Sequence, residues 1–332
     1  MDNKKTATSH QFRISRLSKP PSYSKDMNNK RNYACRITTD LVYKGYDTVV
    51  MENEVFRLTM LPGKGSDVIE LLHKPTDTDF CWMTQLGLRK REALFTAFQQ
   101  QYEGGWQEIL PHLSGKHQFQ GISMEAYGEV SLTEWSYSIL KDTPEEITVC
   151  FTNRLRTMPL VIEKMVTLVT GAPGFQIYER VTNESIARIF ADWGHHITFG
   201  TPFLTPGTSI ELPVNRPPFI VPEFGSPGGF ESLKVDHGAY RLMRPDGIGA
   251  QISWDAEKWP HLWFWRDFGG DTSPPYYGRH FNVGLEMFTS PPASGLQESI
   301  DRGTAMKWEA HETVSAHLQF TVLHEDLARI DK

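Results

Sequence analysis

Cysteine is scarce in this chain: Cys35, Cys81 and Cys150 are the only three among 332 residues, far apart and without a C-x-x-C spacing. An odd, scattered set excludes a disulfide framework and the common zinc spacings, and free thiols in a reducing cytoplasm are expected. No apolar run reaches the roughly 18 residues of a membrane helix, and no apolar segment follows the basic N-terminal residues as a secretion signal would require. H-x-H and H-E-x-x-H spacings are absent, as is a glycine-rich motif that would cradle phosphate, so neither a metal nor a cofactor is expected. There is no internal repeat, no low-complexity tract in the body, and no Arg/Lys cluster that would announce a phosphorylated ligand.

Negative charge dominates what remains. The net charge of −6 divides into +6 over residues 1–32 and −12 over the rest. The leader is rich in Ser, Asn and Pro and poor in apolar residues, so it is expected to be disordered, while residues 33–332 are expected to form one domain. The acidic body argues against nucleic-acid binding. Hydrophobic residues make up 39% of the chain, with 9 Trp and 19 Phe, enough for a large core.

From Tyr33 onward, short β-branched and aromatic runs alternate with Gly, Pro, Asn and Asp clusters. Examples are "DTVVMENEVFRLTML", "EEITVCFTNRLR" and the hairpin "VIEKMVTLVTGAPGFQIYERVTNES". The best helical stretch, "REALFTAFQQQYEGG" over 91–105, is short and stops at Gly104 and Gly105. Many strands without interleaved helices predict an all-β antiparallel sandwich or barrel. The Pro/Gly-dense span from Thr201 to Gly229 predicts a long irregular excursion of the kind that often carries binding loops.

Strand parity sorts the candidate chemistry. In "HFNVGLEMF", residues 280–288, Val283, Leu285 and Met287 share one face, while Asn282, Gly284 and Glu286 share the other. A glutamate in mid-strand is unusual unless the surface is wet or a partner is present. In "GHHITFG", His195 goes with Ile197 and Phe199, and His196 with Thr198. The two histidines face apart and cannot bind one metal, and His196, on the polar face, is the candidate for proton exchange near neutrality. "YEGGWQEILPH" sets Trp106, Gln107 and Glu108 beside paired glycines, a mix of aromatic ring, amide and carboxylate that suits a sugar. "HLWFWRDF" repeats it with Trp263, Trp265, Arg266 and Asp267.

In order, "EVFRLTMLPGKGSDVIELLHK", "GGWQEILPH", "AYGEVSLTEW", "VTNES…WGHHITFG" and "VGLEMFTSPPASGL" resemble the aldose 1-epimerase (galactose mutarotase-like) superfamily, over Val42 to Leu323. The resemblance implies a large antiparallel β-supersandwich with a sugar site on the concave face of one sheet. It implies His196 as general acid and Glu286 as general base for interconverting the anomers of an aldose or derivative, without cofactor or metal. Trp106, Gln107, Glu108, Tyr127, Glu129, Trp265 and Arg266 are the expected substrate-binding residues. Members often carry His-Gly where this chain has Tyr127-Gly128, and the arginine many use beside the second motif is not evident. A small carbohydrate is the expected partner, with no nucleic acid and no membrane. Two other readings stay open: a non-catalytic carbohydrate sensor on the same fold, and a glycoside hydrolase or lyase. The last needs a second acid across the scissile bond, for which Glu108, Glu129 and Asp267 are available.

Overall fold

Strand alternation organises the chain, as the computed structural model makes visible over residues 31–85, 87–88 and 98–324. Almost all of the predicted basic leader lies outside the described residues, as does the first half of the predicted helix over 91–105. Its second half includes one helical turn, Phe98–Gln101. Gly104 and Gly105 follow in the left-handed region, at φ 91° and 78°. A side chain at Gly104 would meet the Trp82 carbonyl at 2.1 Å, and one at Gly105 the Val68 carbonyl at 2.3 Å. The paired glycines therefore serve the close approach of neighbouring strands, a demand only glycine meets without strain.

Two antiparallel sheets face each other. The first, the site sheet, runs in the order Arg36–Thr38, Val49–Glu52, Phe56–Leu61, Asp67–His73, Trp106–Ile109, Gly194–Gly200, Asn282–Phe288, His261–Phe268 and Ser226–Lys234, with Thr78–Asp79 paired onto Asp67–His73. The second, the backing sheet, runs Ser136–Asp142, Glu146–Arg154, Leu160–Val169, Gly174–Asn183, Thr313–His324, Ile248–Trp254, Ala239–Met243, Ser209–Glu211 and Phe219–Ile220. The predicted hairpin is there, Leu160–Val169 against Gly174–Asn183. The Pro/Gly-dense excursion divides its residues: Ser209–Glu211 and Phe219–Ile220 extend the backing sheet, and Ser226–Lys234 forms the far edge of the site sheet. All three cysteines are free and buried.

The core fills the space between the sheets. Phe56 and Trp106 of the site sheet meet Phe175 of the backing sheet, ring centroids 6.0 and 5.7 Å apart, and Phe199 meets Tyr240 at 6.2 Å. The Tyr240 hydroxyl crosses the gap to donate to the Leu285 carbonyl at 3.2 Å. Each such fully buried side chain contributes about 1.5–3 kcal/mol of transfer free energy. A second, smaller cluster covers the outer face of the site sheet: Phe98, Ile109, Leu113, Ala126, Leu132, Trp263 and Phe288, with Tyr102 and Tyr127 packed against it. The strand Gly194–Gly200 is consequently buried at all seven residues, on both faces.

Candidate active site

His196 and Glu286 meet on the outer face of the site sheet. Gly194–Gly200 and Asn282–Phe288 are neighbours, with His195 opposite Met287 and Thr198 opposite Gly284, so His196 and Glu286 project side by side. His196 Nε2 lies 3.4 Å from Glu286 Oε1. Both line a cavity of about 780 Å³, together with Tyr102, Tyr127, Trp265 and Tyr276.

The pair is short of partners. Three rings pack around the imidazole: Tyr102 at 5.0 Å, Tyr127 at 5.8 Å and Phe98 at 5.9 Å. Its Nδ1 accepts no hydrogen bond and donates none. Burial drives the His196 pKa down to about 3 and raises Glu286 well above the usual carboxylate range, and no cation opposes either shift. Both shifts favour the uncharged forms of the two groups. The cause is that a lone pair of charges walled by aromatic rings is costlier than a neutral pair.

Gly284 makes room for the carboxyl. It shares the outer face with Glu286 two residues on, and a methyl group there would stand 2.5 Å from Glu286 Oε1 and 3.2 Å from the Trp265 ring. The Glu286 side chain lies back over the bare glycine against Trp265. Tyr127 reaches the cavity from a non-glycine left-handed backbone, φ 58°, a strained conformation of the kind that clusters at functional sites. Burial raises its phenol pKa, and that of Tyr102, so both hydroxyls stay protonated, Tyr102 donating to Thr198 Oγ1 at 3.3 Å.

Five of the other predicted site residues lie elsewhere or are committed. Trp106 and Glu108 are on the core face, because His195 is opposite Glu108 and Ile197 opposite Trp106 in the strand pairing. Three consecutive strand residues cannot all face one ligand, and Gln107 alone takes the His196 side. Its amide donates to Gly104 O at 2.6 Å and Asp67 Oδ2 at 3.3 Å, and it lies beside the cavity, not in its lining. Glu129 accepts from the Arg156 and Thr157 amides at 2.6 and 3.0 Å and from the Thr157 hydroxyl at 2.6 Å, so it anchors a loop. Arg266 borders the cavity, but its guanidinium pairs with Glu231 at 2.7 Å and lies over Phe264 at 4.5 Å. Tyr127 and Trp265 do line the cavity. Of the second acids considered for glycoside cleavage, Asp267 alone lines it.

His195, one residue from His196, sits in a dense polar network inside the core. Trp106 Nε1 donates to His195 Nδ1 at 3.0 Å, which leaves the histidine proton on Nε2, 3.1 Å from Glu179 Oε2. Trp193 Nε1 donates to Glu108 Oε1 at 2.6 Å, and Lys164 Nζ stands 3.7 Å from Glu108 Oε2 and 4.8 Å from the Trp135 ring centre. Burial lowers the His195 pKa to about 4, and burial, with Glu179's charge next, raises that of Glu108. Among the described residues Glu108, Glu179 and His195 bring ligand atoms within 4.8 Å of one another, close enough for a metal. The Lys164 ammonium already supplies positive charge there, and the site is closed on all sides, with all three residues fully buried. The signal for this network was in the sequence: Lys164 shares strand parity with Ile162, Val166 and Leu168, and Glu179 with Phe175, Ile177 and Val181, so both charges point inward.

The two-sheet fold, with a histidine–glutamate pair in an aromatic cavity on the outer face of one sheet, has counterparts among solved structures. No family model matches this chain, and no curated protein matches it either. A putative aldose 1-epimerase from Klebsiella pneumoniae superposes with TM-score 0.73 at 14% identity, over 92% of this chain and 90% of that one. A galactose mutarotase-like protein from Clostridium acetobutylicum gives TM-score 0.62 at 12% identity, covering 88% and 99%, and a putative mutarotase from Salmonella typhimurium 0.62 at 8%, covering 88% and 94%. The chain therefore has the galactose mutarotase-like fold expected from its motifs.

Proposed function

We propose that this chain is an aldose 1-epimerase-like isomerase that interconverts the anomers of a sugar. The reading rests on one observation above the others: His196 and Glu286 stand 3.4 Å apart in an aromatic-lined cavity, with no cation paired to either among the described residues. Opening a cyclic hemiacetal takes one proton from the C1 hydroxyl and gives one to the ring oxygen as the C1–O5 bond breaks. Rotation about C1–C2 and reclosure then reverse the two transfers. A donor and an acceptor in contact suffice for this, given an oriented substrate. Burial favours the neutral forms of both groups, so one of the pair donates a proton while the other accepts one, and reclosure reverses the two roles. Tyr102, Tyr127 and Trp265 offer the ring faces on which sugar C–H groups stack.

Saturation-transfer NMR between α and β anomers over a panel of free sugars tests this. Wild type accelerates exchange for at least one sugar, and Glu286→Gln lowers that acceleration by about 10²–10⁴-fold. No acceleration for any sugar contradicts the isomerase reading, and acceleration indifferent to Glu286→Gln contradicts the residue assignment.

A further inference from the structure

A second cavity lies on the outer face of the site sheet, toward the end of the strand order away from Glu286. Its volume is about 500 Å³, inside the range of roughly 300–1,000 Å³ that small-molecule pockets occupy. Val49, Met51 and Leu58 face the core, so Val50, Thr59 and Glu70, opposite one another in successive strand pairings, face outward and form its floor. The two cavities have no lining residue in common, since Met83 borders this one and its neighbour Thr84 the other. They are separate sites.

The lining divides by chemistry. Leu41, Val50, Ile69 and Met83 supply an apolar wall, and the protein leaves each of them half-buried. Against that wall stand three carboxyls whose partners are unequal. Glu70 accepts from Arg57 Nε at 2.9 Å and Nη2 at 2.6 Å, and from the Thr59 hydroxyl at 2.6 Å. Glu52 pairs with Arg36 at 2.7 Å and Lys74 at 2.5 Å. Asp79 has no such cation. Its Oδ1 accepts from the Leu71 and Cys81 amides at 2.9 and 3.0 Å, while Oδ2 has no hydrogen-bond or ion-pair partner among the described residues. The residue is half-buried and borders the cavity, so this oxygen has open space before it. Burial raises the Asp79 pKa to about 6, and above that pH it is a carboxylate without a counter-ion.

A partly desolvated carboxylate is costly until a cation reaches it. The lining also selects against anions, because the single guanidinium in it, Arg57, is already held by Glu70. A ligand that ends in an ammonium and carries an apolar body meets both halves of the surface. At roughly 30 Å³ per water-sized group the cavity holds about 17 such groups, ample for an amine of about ten non-hydrogen atoms.

We propose that this cavity is a binding site for a small organic amine, its ammonium on Asp79 Oδ2 and its apolar body against Leu41, Val50, Ile69 and Met83. The site stands apart from the anomer-exchange reading and needs none of it.

Isothermal calorimetry on the full chain tests this with phenethylamine and hexylamine against their uncharged counterparts, phenethyl alcohol and hexanol. At least one amine binds about tenfold or more tightly than its alcohol, as one charge-assisted hydrogen bond gives. Asp79→Asn keeps an oxygen for the two amides and brings that ratio close to one. Val50→Phe fills part of the floor and weakens amine and alcohol alike. The Met83 methyl resonance, assigned through Met83→Leu, shifts as the amine is added and places the ligand in this cavity. Should Asp79→Asn not fold, the wild-type ratio, Val50→Phe and the Met83 shift decide alone. No binding by either amine, equal affinity for amine and alcohol in wild type, a ratio unmoved in folded Asp79→Asn, or binding that leaves the Met83 methyl in place overturns the proposal.

Discussion

His195 and His196 occupy adjacent positions of one strand and live in opposite chemistry. His195 faces the core, where Trp106, Glu108, Glu179 and Lys164 surround it with donors, acceptors and a compensating cation. His196 faces the cavity, with a single carboxyl at 3.4 Å and aromatic rings on the remaining sides. Both are buried and both have lowered pKa values, so the direction of titration does not separate them. What separates them is the compensating cation and the cavity: Lys164 stands 3.7 Å from Glu108 on the His195 side, while His196 and Glu286 line open space with no cation beside them among the described residues. A network held by its own cation inside the core fixes structure, and a pair that borders a cavity is available to a ligand.

Removing the cation from the core side has the largest predicted consequence for stability. Lys164→Met leaves Glu108 and Glu179 buried without their positive neighbour and destabilises the fold by about 3–5 kcal/mol, measured by urea unfolding. Adding Glu108→Gln recovers part of that loss, since it removes one of the two uncompensated acids; full loss in the double variant would mean that Lys164 acts through packing on Trp135. On the cavity side, Gly284→Ala pushes the end of the flexible Glu286 side chain from its resting place. Anomer exchange falls by about tenfold to a hundredfold, the scale of a misplacement near 1 Å, with urea unfolding little changed. Equal losses of rate and stability there would turn Gly284 into a packing residue.

A smaller effect runs the opposite way. The folded-state pKa of Glu286 lies above its ordinary value of 4.5, so above that pH the folded chain retains a proton that the unfolded chain releases. Its contribution to stability therefore declines as pH rises from about 4.5 toward the raised value. Glu286→Gln removes this penalty and stabilises the protein by about 1 kcal/mol or more at pH 8, with less gain at pH 5, as thermal unfolding at the two pH values reads. A variant that loses rate while gaining stability is what a residue kept for chemistry produces.

Much of this contrast was legible in the sequence, and the part that was not has a physical cause. Period-two alternation assigned His196 and Glu286 to the polar faces of their strands, and the order of motifs brought those strands together. The same rule applied to Trp106, Gln107 and Glu108 would have sent the outer two inward, yet their composition resembled a sugar platform. Composition cannot distinguish a binding surface from a core polar network, because aromatic rings and paired carboxyls suit both. Asp267 was visible only as a spare acid, and Asp79 drew no attention, since the cavity it lines depends on the register between neighbouring strands. Gly284 carried a signal in its position two residues before Glu286, but the need for a bare backbone there depends on how the glutamate side chain folds.

The central claim is that the cavity-facing histidine does chemistry and the core-facing one holds the sheets together. Saturation-transfer rates per folded molecule for His196→Asn and His195→Asn, measured on the best sugar of the panel, test it directly. The account predicts a loss of about 10²-fold or more for His196→Asn in a protein that unfolds near the wild-type urea concentration. It predicts a wild-type rate for the folded fraction of His195→Asn, in a protein that unfolds at markedly lower urea. A rate lost with His195→Asn and kept with His196→Asn would contradict it.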